Sequence, residues 1–181
     1  MHRRNLLSAI DDYALRYPEE IGVVQRFRVL LENHSDCFER DCWSGHITGS
    51  AWLVSPDQQH VLLTHHRKLN MWLQLGGHSD GDSRTDAVAV REATEESGLS
   101  VQLLQKNIFD LDVHEIPARK NDPAHYHFDV RYQLKATDEK FRISEESLDL
   151  AWVKIDELER YTEEESILRM RRKWYESNNR D

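Results

Sequence analysis

Four charged residues close together set the chemistry this chain could perform: Arg91, Glu92, Glu95 and Glu96, in a helical segment of about Arg84–Ser97 that stops at Gly98. At about 100° per residue the three glutamates share roughly 100° of the helix surface. Arg91 lies beside them, one turn before Glu95. Ala87, Ala89, Val90, Ala93 and Thr94 fill another side, a small-residue face suited to close packing on a sheet. Like charges at i,i+3 and i,i+4 cost about 0.2–0.5 kcal/mol each. Glutamates in a last turn also oppose the helix dipole, by about 0.3–1 kcal/mol each. Broken local rules concentrated in one place are expected at functional sites. Hard divalent cations that accept carboxylate oxygens remove the conflict, and Arg91 can hold one carboxylate while the others stay available. The competing reading is a solvated acidic face.

A second cluster alternates along one strand. His125, His127, Asp129 and Arg131 interleave with Tyr126, Phe128, Val130 and Tyr132, so period two puts the four polar side chains on one face. Two histidines and an aspartate there suit substrate contact or an extra metal site. His65, His66, Arg67 and Lys68, just before the Trp72 strand, are candidates for meeting phosphate, with a solvated loop as the competing reading, and His78, in the loop before the acidic helix, is a candidate substrate contact. Trp72 and Tyr126 either stack on a base or pack in the core.

These side chains need a framework. The first 35 or so residues read as two amphipathic helices: Leu6, Ile10, Tyr13, Ala14 and Tyr17 recur at helical spacing, and Pro18-Glu19-Glu20 opens a second stripe of Ile21, Val24, Phe27, Arg28 and Leu31. From about Ile47 the period changes. Ser50–Val54 and His60–His65 form a hairpin around Ser-Pro-Asp-Gln-Gln, and Met71–Leu75 is a strand that runs into Gly76-Gly77. Further strands are expected near Val101–Leu104, Ile108–Ile116, Tyr126–Lys135 and Leu150–Ile155. The tail from Asp156 is helical, with Ile167, Met170 and Trp174 on one face. Helices and strands in this order predict an α/β fold, a sandwich with a mixed sheet.

Composition narrows the function classes. The chain has 181 residues and a net charge of −9, so a dedicated nucleic-acid binder is not expected, because phosphate contacts need a cationic footprint. The Arg169–Lys173 run is read as cations suited to a helix C-terminus, with no nucleic-acid site. Apolar runs such as Ala51–Val54 and Val61–Leu63 are too short to span a bilayer. No signal peptide is read at the N-terminus, and Cys37 and Cys42 are expected as reduced structural thiols in a cytoplasmic protein.

The segment Gly77-x5-Ser83-x7-Arg91-Glu92-Ala93-x-Glu95-Glu96-x-Gly98-Leu99 resembles the Nudix box. It departs at one position, where Ser83 replaces the first glutamate. The resemblance covers about Ile47–Leu158 and implies a Nudix-like α/β/α sandwich. It divides the chain into an N-terminal helical extension at 1–45, for packing or dimerisation, and a catalytic domain with a C-terminal helix at 46–181.

By that resemblance Glu92, Glu95 and Glu96 are metal ligands or the base for Mg²⁺ or Mn²⁺, and Arg91 orients a glutamate. The Gly77 carbonyl completes the coordination. Glu145 and Glu146, shortly before the Trp152 strand, are distal candidates for the base. Ser83 cannot supply a carboxylate: either Asp82 substitutes or fewer ions bind, and Ser83 is expected to be a helix N-cap with Asp86 three residues on. The implied activity is metal-dependent hydrolysis of a diphosphate linkage in a small-molecule substrate of the nucleoside diphosphate-X type. Two alternatives stay open: a non-catalytic Nudix domain sensing a nucleotide sugar or related ligand, and an allylic diphosphate isomerase, which calls for a catalytic cysteine. The extension also leaves a homodimer open.

Overall fold

The computed structural model describes residues 2–67, 69–119, 122–144 and 147–178. Two helices, α1 (His2–Arg16) and α2 (Ile21–Asn33), are joined by a 3₁₀ turn over Pro18–Glu20. Leu6, Ile10 and Tyr13 of α1 and Val24, Phe27 and Leu31 of α2 are buried in the same apolar cluster as sheet residues. Ile21, expected on the buried stripe, is half-exposed instead, because it sits at the first position of α2, where the chain still turns out of the 3₁₀ segment.

Among the described residues eight strands form one mixed sheet. They are β1 (His46–Val54), β2 (His60–His66), β3 (Met71–Leu73), β4 (Leu75–His78), β5 (Val101–Leu103), β6 (Asp110–Ile116), β7 (His125–Ala136) and β8 (Ser147–Lys154). Helix α3 (Thr85–Ser97) follows β4. A 3₁₀ segment (Ile155–Arg160) and helix α4 (Glu165–Asn178) close the described chain. The pairing β1–β7 is parallel, from His46 opposite His127 to Val54 opposite Lys135, and the other pairings are antiparallel. The mixed-sheet expectation is met in this arrangement.

The strand expected over Met71–Leu75 is two strands. β3 pairs with β2 and β4 pairs with β1, so the chain changes partner at Gln74. Gln74 there donates its amide to Asp129 Oδ2 at 3.2 Å.

Period two divides the centre of the sheet. Ile47, Ala51, Leu53, Phe128, Val130, Tyr132 and Leu134 cluster with α1, α2 and Ala89 and Ala93 of α3. On the opposite face, Trp52, Val54, Val61, Leu63 and Val153 cluster with Ile167, Met170 and Trp174 of α4. The rest of that second face is polar and ordered by register into rows across β1, β7 and β6. His46, His127 and His114 form one row, Thr48, Asp129 and Asp112 the next, Ser50, Arg131 and Asp110 the third.

The third row is the hub of a buried ion network. Arg131 pairs with Asp129 at 2.7 Å, Asp110 at 3.1 Å and Asp112 at 3.4 Å. From α4, Arg169 reaches Asp110 at 2.8 Å and Asp112 at 3.0 Å, and Lys173 reaches Asp110 and Glu20, each at 2.6 Å. Tyr13 of α1 accepts from Lys173 Nζ and from the Leu111 amide, and donates to Glu20. The Arg169–Lys173 run thus differs from its expected role: Arg169 and Lys173 are turned inward by Asp110, and Lys173 is buried.

For Asp110, burial alone raises the carboxyl's affinity for a proton, but the Arg169 hydrogen bonds and the Arg131 and Lys173 charges outweigh it and hold the pKa below the ordinary range. A depressed folded-state pKa adds stability that is full above the unfolded value, about 3.9, and is lost as pH falls through the folded value. Asp110→Ala leaves three cations short of a buried partner and is expected to lower unfolding free energy by about 3–5 kcal/mol in urea titrations at pH 7. The acid-side loss of stability seen in the wild-type chain is expected to be shallower in Asp110→Asn, measured as the urea midpoint between about pH 5 and pH 2.

Candidate active site

Helix α3 lies against β1 and β4, and glycine makes that approach possible. A Cβ on Gly49 would stand 2.8 Å from the Thr85 carbonyl oxygen and 2.9 Å from Val88 Cγ1. The buried side of α3 is therefore Thr85, Val88, Ala89, Ala93 and Ser97. This corrects the expected face by about one position, since Thr94 is exposed and Val88 takes the sheet contact. The helix ends at Gly98 with φ of 69°, where its N–H bonds the Thr94 carbonyl at 2.8 Å.

Close approach brings two of the three glutamates onto β4. A Cβ on Gly77 would fall 2.4 Å from Glu92 Oε2, so this carboxylate occupies the space a side chain would take. Glu96 Oε1 accepts the Gly76 amide at 2.8 Å. Arg91 reaches Glu92 Oε1 with Nε at 3.2 Å and a terminal nitrogen at 2.7 Å, and the same terminal nitrogen donates to the His78 carbonyl at 2.6 Å. Arg91 thereby ties α3 to the end of β4 and turns Glu92 Oε2 toward Gly77. Glu95 projects into solvent. Glu92 and Glu96 offer hard oxygen donors beside a glycine-lined stretch of β4, the donor type a hard divalent cation takes, but the oxygens of Glu92, Glu95 and Glu96 do not gather into one cluster.

Ser83 is not the N-cap. The cap position is Arg84, without a side-chain capping bond, and the helix begins at Thr85. The turn before it is held by Asp82, whose Oδ1 accepts the Arg84 amide at 2.9 Å and whose carboxylate pairs with the Arg84 guanidinium at 2.8 Å. Asp82 is thus committed to the loop.

The expected substrate-contact residues separate into three groups. Arg131 is fully buried within its aspartate cage, and this corrects its assignment as a substrate contact: alternation gives the face of a strand but not what covers it. Asp129 is also buried, accepting from Thr48 and Ser50 at 2.9 and 2.7 Å as well as from Arg131 and Gln74. Arg67 is exposed and donates to the Ser147 carbonyl at 3.0 Å. Lys68, Glu145 and Glu146 lie outside the described residues. Trp72 stacks on His65 at 5.0 Å, and Tyr126 is exposed beneath Arg26.

His78, His125 and His127 are brought together, and with them two residues the sequence did not single out, His46 and His114. His46 stands 4.7–5.1 Å, ring to ring, from His78, His125 and His127, and His114 is 5.5 Å from His127. Burial and then the neighbouring His78 and His125 rings lower the His46 pKa to about 4, with the Cys42 backbone pulling weakly the other way without a formed hydrogen bond. His127 is pushed down further, by burial and then by His46, His78, His114 and His125. Neither ring nitrogen of His46, nor Nε2 of His127, has a hydrogen-bond partner, a cost of about 1–3 kcal/mol for each buried group.

A family model for the NUDIX domain matches residues 45–174. The chain belongs to the Nudix family. It is a Nudix hydrolase, with Gly77–Leu99 as its Nudix box, and the α/β fold is the one the box implies. A hydrolase of the NUDIX family from Clostridium perfringens superposes with a TM-score of 0.58 at 25% identity, over 71% of this chain and 95% of that one. An Ap4A hydrolase from C. elegans gives a TM-score of 0.55 at 12% identity, covering 74% of this chain and 97% of its own. The NUDIX domain of Shewanella oneidensis NrtR, in complex with ADP ribose, gives 0.54 at 17% identity, over 83% and 97%. Among curated proteins none matches the chain.

The Nudix box carries its own test. In Gly77→Ala the added methyl meets the tip of the Glu92 side chain, which can give way, so the fold is expected to survive with a stability loss of about 1 kcal/mol at this half-buried position. Mg²⁺ affinity, followed by calorimetry, is expected to fall by at least about tenfold, or about 1.4 kcal/mol. Unchanged affinity would show that Glu92 does not need the Gly77 cradle.

Proposed function

We propose that the chain hydrolyses the diphosphate linkage of a nucleoside diphosphate joined to a second group, with Mg²⁺ or Mn²⁺ as cofactor. The observation that carries this is the seating of Glu92 and Glu96 on the β4 backbone at Gly76–Gly77, with Arg91 fixing one oxygen of Glu92. A divalent ion bound there supplies charge neutralisation to the diphosphate and makes phosphorus more electrophilic.

The chain's own residues do the rest. Arg91 orients Glu92. Glu96 is positioned by the Gly76 N–H, and Glu95, on the open side, can take the proton from an attacking water. Glu146 is the competing base, from the segment before β8. Arg67, Lys68 and His78 are assigned to substrate phosphate, with His125 and His127 near the same strand ends and Asp129 holding β1 and β7 in register behind them. In-line attack then cleaves the P–O bond of the anhydride, giving two phosphorylated fragments.

The N-terminal extension, whose apolar stripes are spent inside the chain, is assigned a packing role. Exposed Leu15, Ile21 and Val29 are the large apolar side chains of α1 and α2 that a homodimer could bury. Among the described residues no helix is long and apolar enough to cross a membrane, and both cysteines are free and buried, which supports a reducing, cytoplasmic setting.

ADP ribose and Ap4A head the substrate panel, since the same fold binds or is associated with each. With Mg²⁺ or Mn²⁺ the wild-type chain is expected to release nucleoside monophosphate from at least one member. Glu95→Gln is expected to lose at least about a hundredfold in kcat, the lower range for a proton-transfer group. If Glu95→Gln retains kcat while Glu146→Gln loses it, the base is Glu146. A wild-type chain that binds ADP ribose tightly yet is as inert as the variant across the panel would establish the sensor reading, which the Ser83 departure favours.

A further inference from the structure

We propose that His46, His125 and His127 form a binding site for one borderline divalent transition-metal ion, of which Zn²⁺ is the representative, separate from the carboxylate site of the Nudix box. One ring nitrogen from each of the three lies within 4.8 Å of the others. Their ring centroids are 4.7, 4.9 and 5.3 Å apart, and they come from the starts of two parallel strands, where His46 stands opposite His127.

Packing alone does not account for this trio. His46 is 1% exposed and both its ring nitrogens lack a hydrogen-bond partner, as does Nε2 of His127. A phenyl ring fills the same space without orphaned polar atoms, and histidine earns its place only if a lone pair is used. His125 shows which one: its Nδ1 lies 2.8 Å from the Pro123 carbonyl, which can only accept, so Nδ1 carries the proton and the Nε2 lone pair is left to coordinate. A carbonyl behind a ligating imidazole is the usual way its tautomer and orientation are fixed. Three neutral imidazoles suit Zn²⁺, Cu²⁺ or Ni²⁺ rather than Mg²⁺, which prefers oxygen. Three protein nitrogens leave a tetrahedral ion one open position, as at metal sites that admit a further ligand. Trp43 packs edge-on against His125 at 5.5 Å and His78 and His114 flank the trio, so the site is walled by rings.

The test uses the full chain stripped of metal by chelator and dialysis. It is titrated with Zn²⁺ alone by calorimetry and with Co²⁺ by visible absorption, whose d–d bands separate a tetrahedral site from an octahedral oxygen one. One tightly held Zn²⁺ per chain is expected in the wild type and in Glu95→Gln, any weaker binding at the box carboxylates being reduced in the variant. His125→Ala and His127→Gln are expected to weaken that binding by at least about a hundredfold, beyond the 10–100-fold typical of changes one layer further out. Circular dichroism and melting in excess chelator confirm that each variant folds. If His46→Ala does not fold, the other two carry the comparison. Zn²⁺ affinity unchanged in both folded variants, or lost in Glu95→Gln, overturns the proposal. So does loss in Cys42→Ser with the histidine variants unaffected, because that would move the ion to the His34, Asp36 and Cys42 group.

Discussion

The closeness of α3 to β1 and β4 governs the architecture around the box. At Gly49 no side chain fits between helix and sheet, and at Gly77 the Glu92 carboxylate takes the space a side chain would fill. A carboxylate on a helix normally turns to water, where its hydration is cheap. Here the backbone of β4 stands where water would be, and Arg91 bridges Glu92 and the His78 carbonyl. The mutual repulsion of the glutamates is thereby converted into fixed geometry. Gly76 does the complementary service on the opposite face: a Cβ there would fall 2.1 Å from Ser50 Oγ, the group that donates to Asp129.

That opposite face depends on charge rather than on apolar packing. Asp110, Asp112, Asp129 and Glu20 pair with Arg131, Arg169 and Lys173, and further contacts come from the His114 ring and from hydroxyl and amide donors of Tyr13, Thr48, Ser50 and Gln74. Buried ion pairs contribute little net stability compared with apolar replacements, but losing one partner is costly. Such a network therefore acts as a constraint on arrangement. It binds the N-terminal helices, β6, β7 and α4 into one relation, because each supplies a charge or hydroxyl that the others need. Lys173 illustrates this, as it reaches Asp110 on the sheet and Glu20 in the turn between α1 and α2.

How much of this could be read from the residues follows from how local each signal is. The box was legible because its spacing is contiguous and its glycines and glutamates act within one strand, loop and helix. The strand periods, the hairpin and the α4 stripe were legible for the same reason. Arg131 was placed on the right face of β7 and given the wrong surroundings, because what covers a face comes from α4, 35 or more residues away in sequence. Ser83 was read as a cap by its type, whereas Asp82 holds the turn through Arg84. His46 carried no local signal: it becomes notable only when β1 and β7 align in parallel and set it opposite His127.

One strand separates two kinds of donor. Along β4, Gly77 faces Glu92 and α3, while His78, two residues on from Gly76, lies ring to ring with His46 and His127 at 5.1 Å. Alternation thus places hard carboxylate oxygens on one side of the sheet and borderline imidazole nitrogens on the other. Cations sort between such sites by ligand type before affinity enters, since oxygen donors select Mg²⁺ and imidazoles select later transition metals. The Arg91–His78 and Glu96–Gly76 backbone bonds both tie α3 to the strand that carries His78.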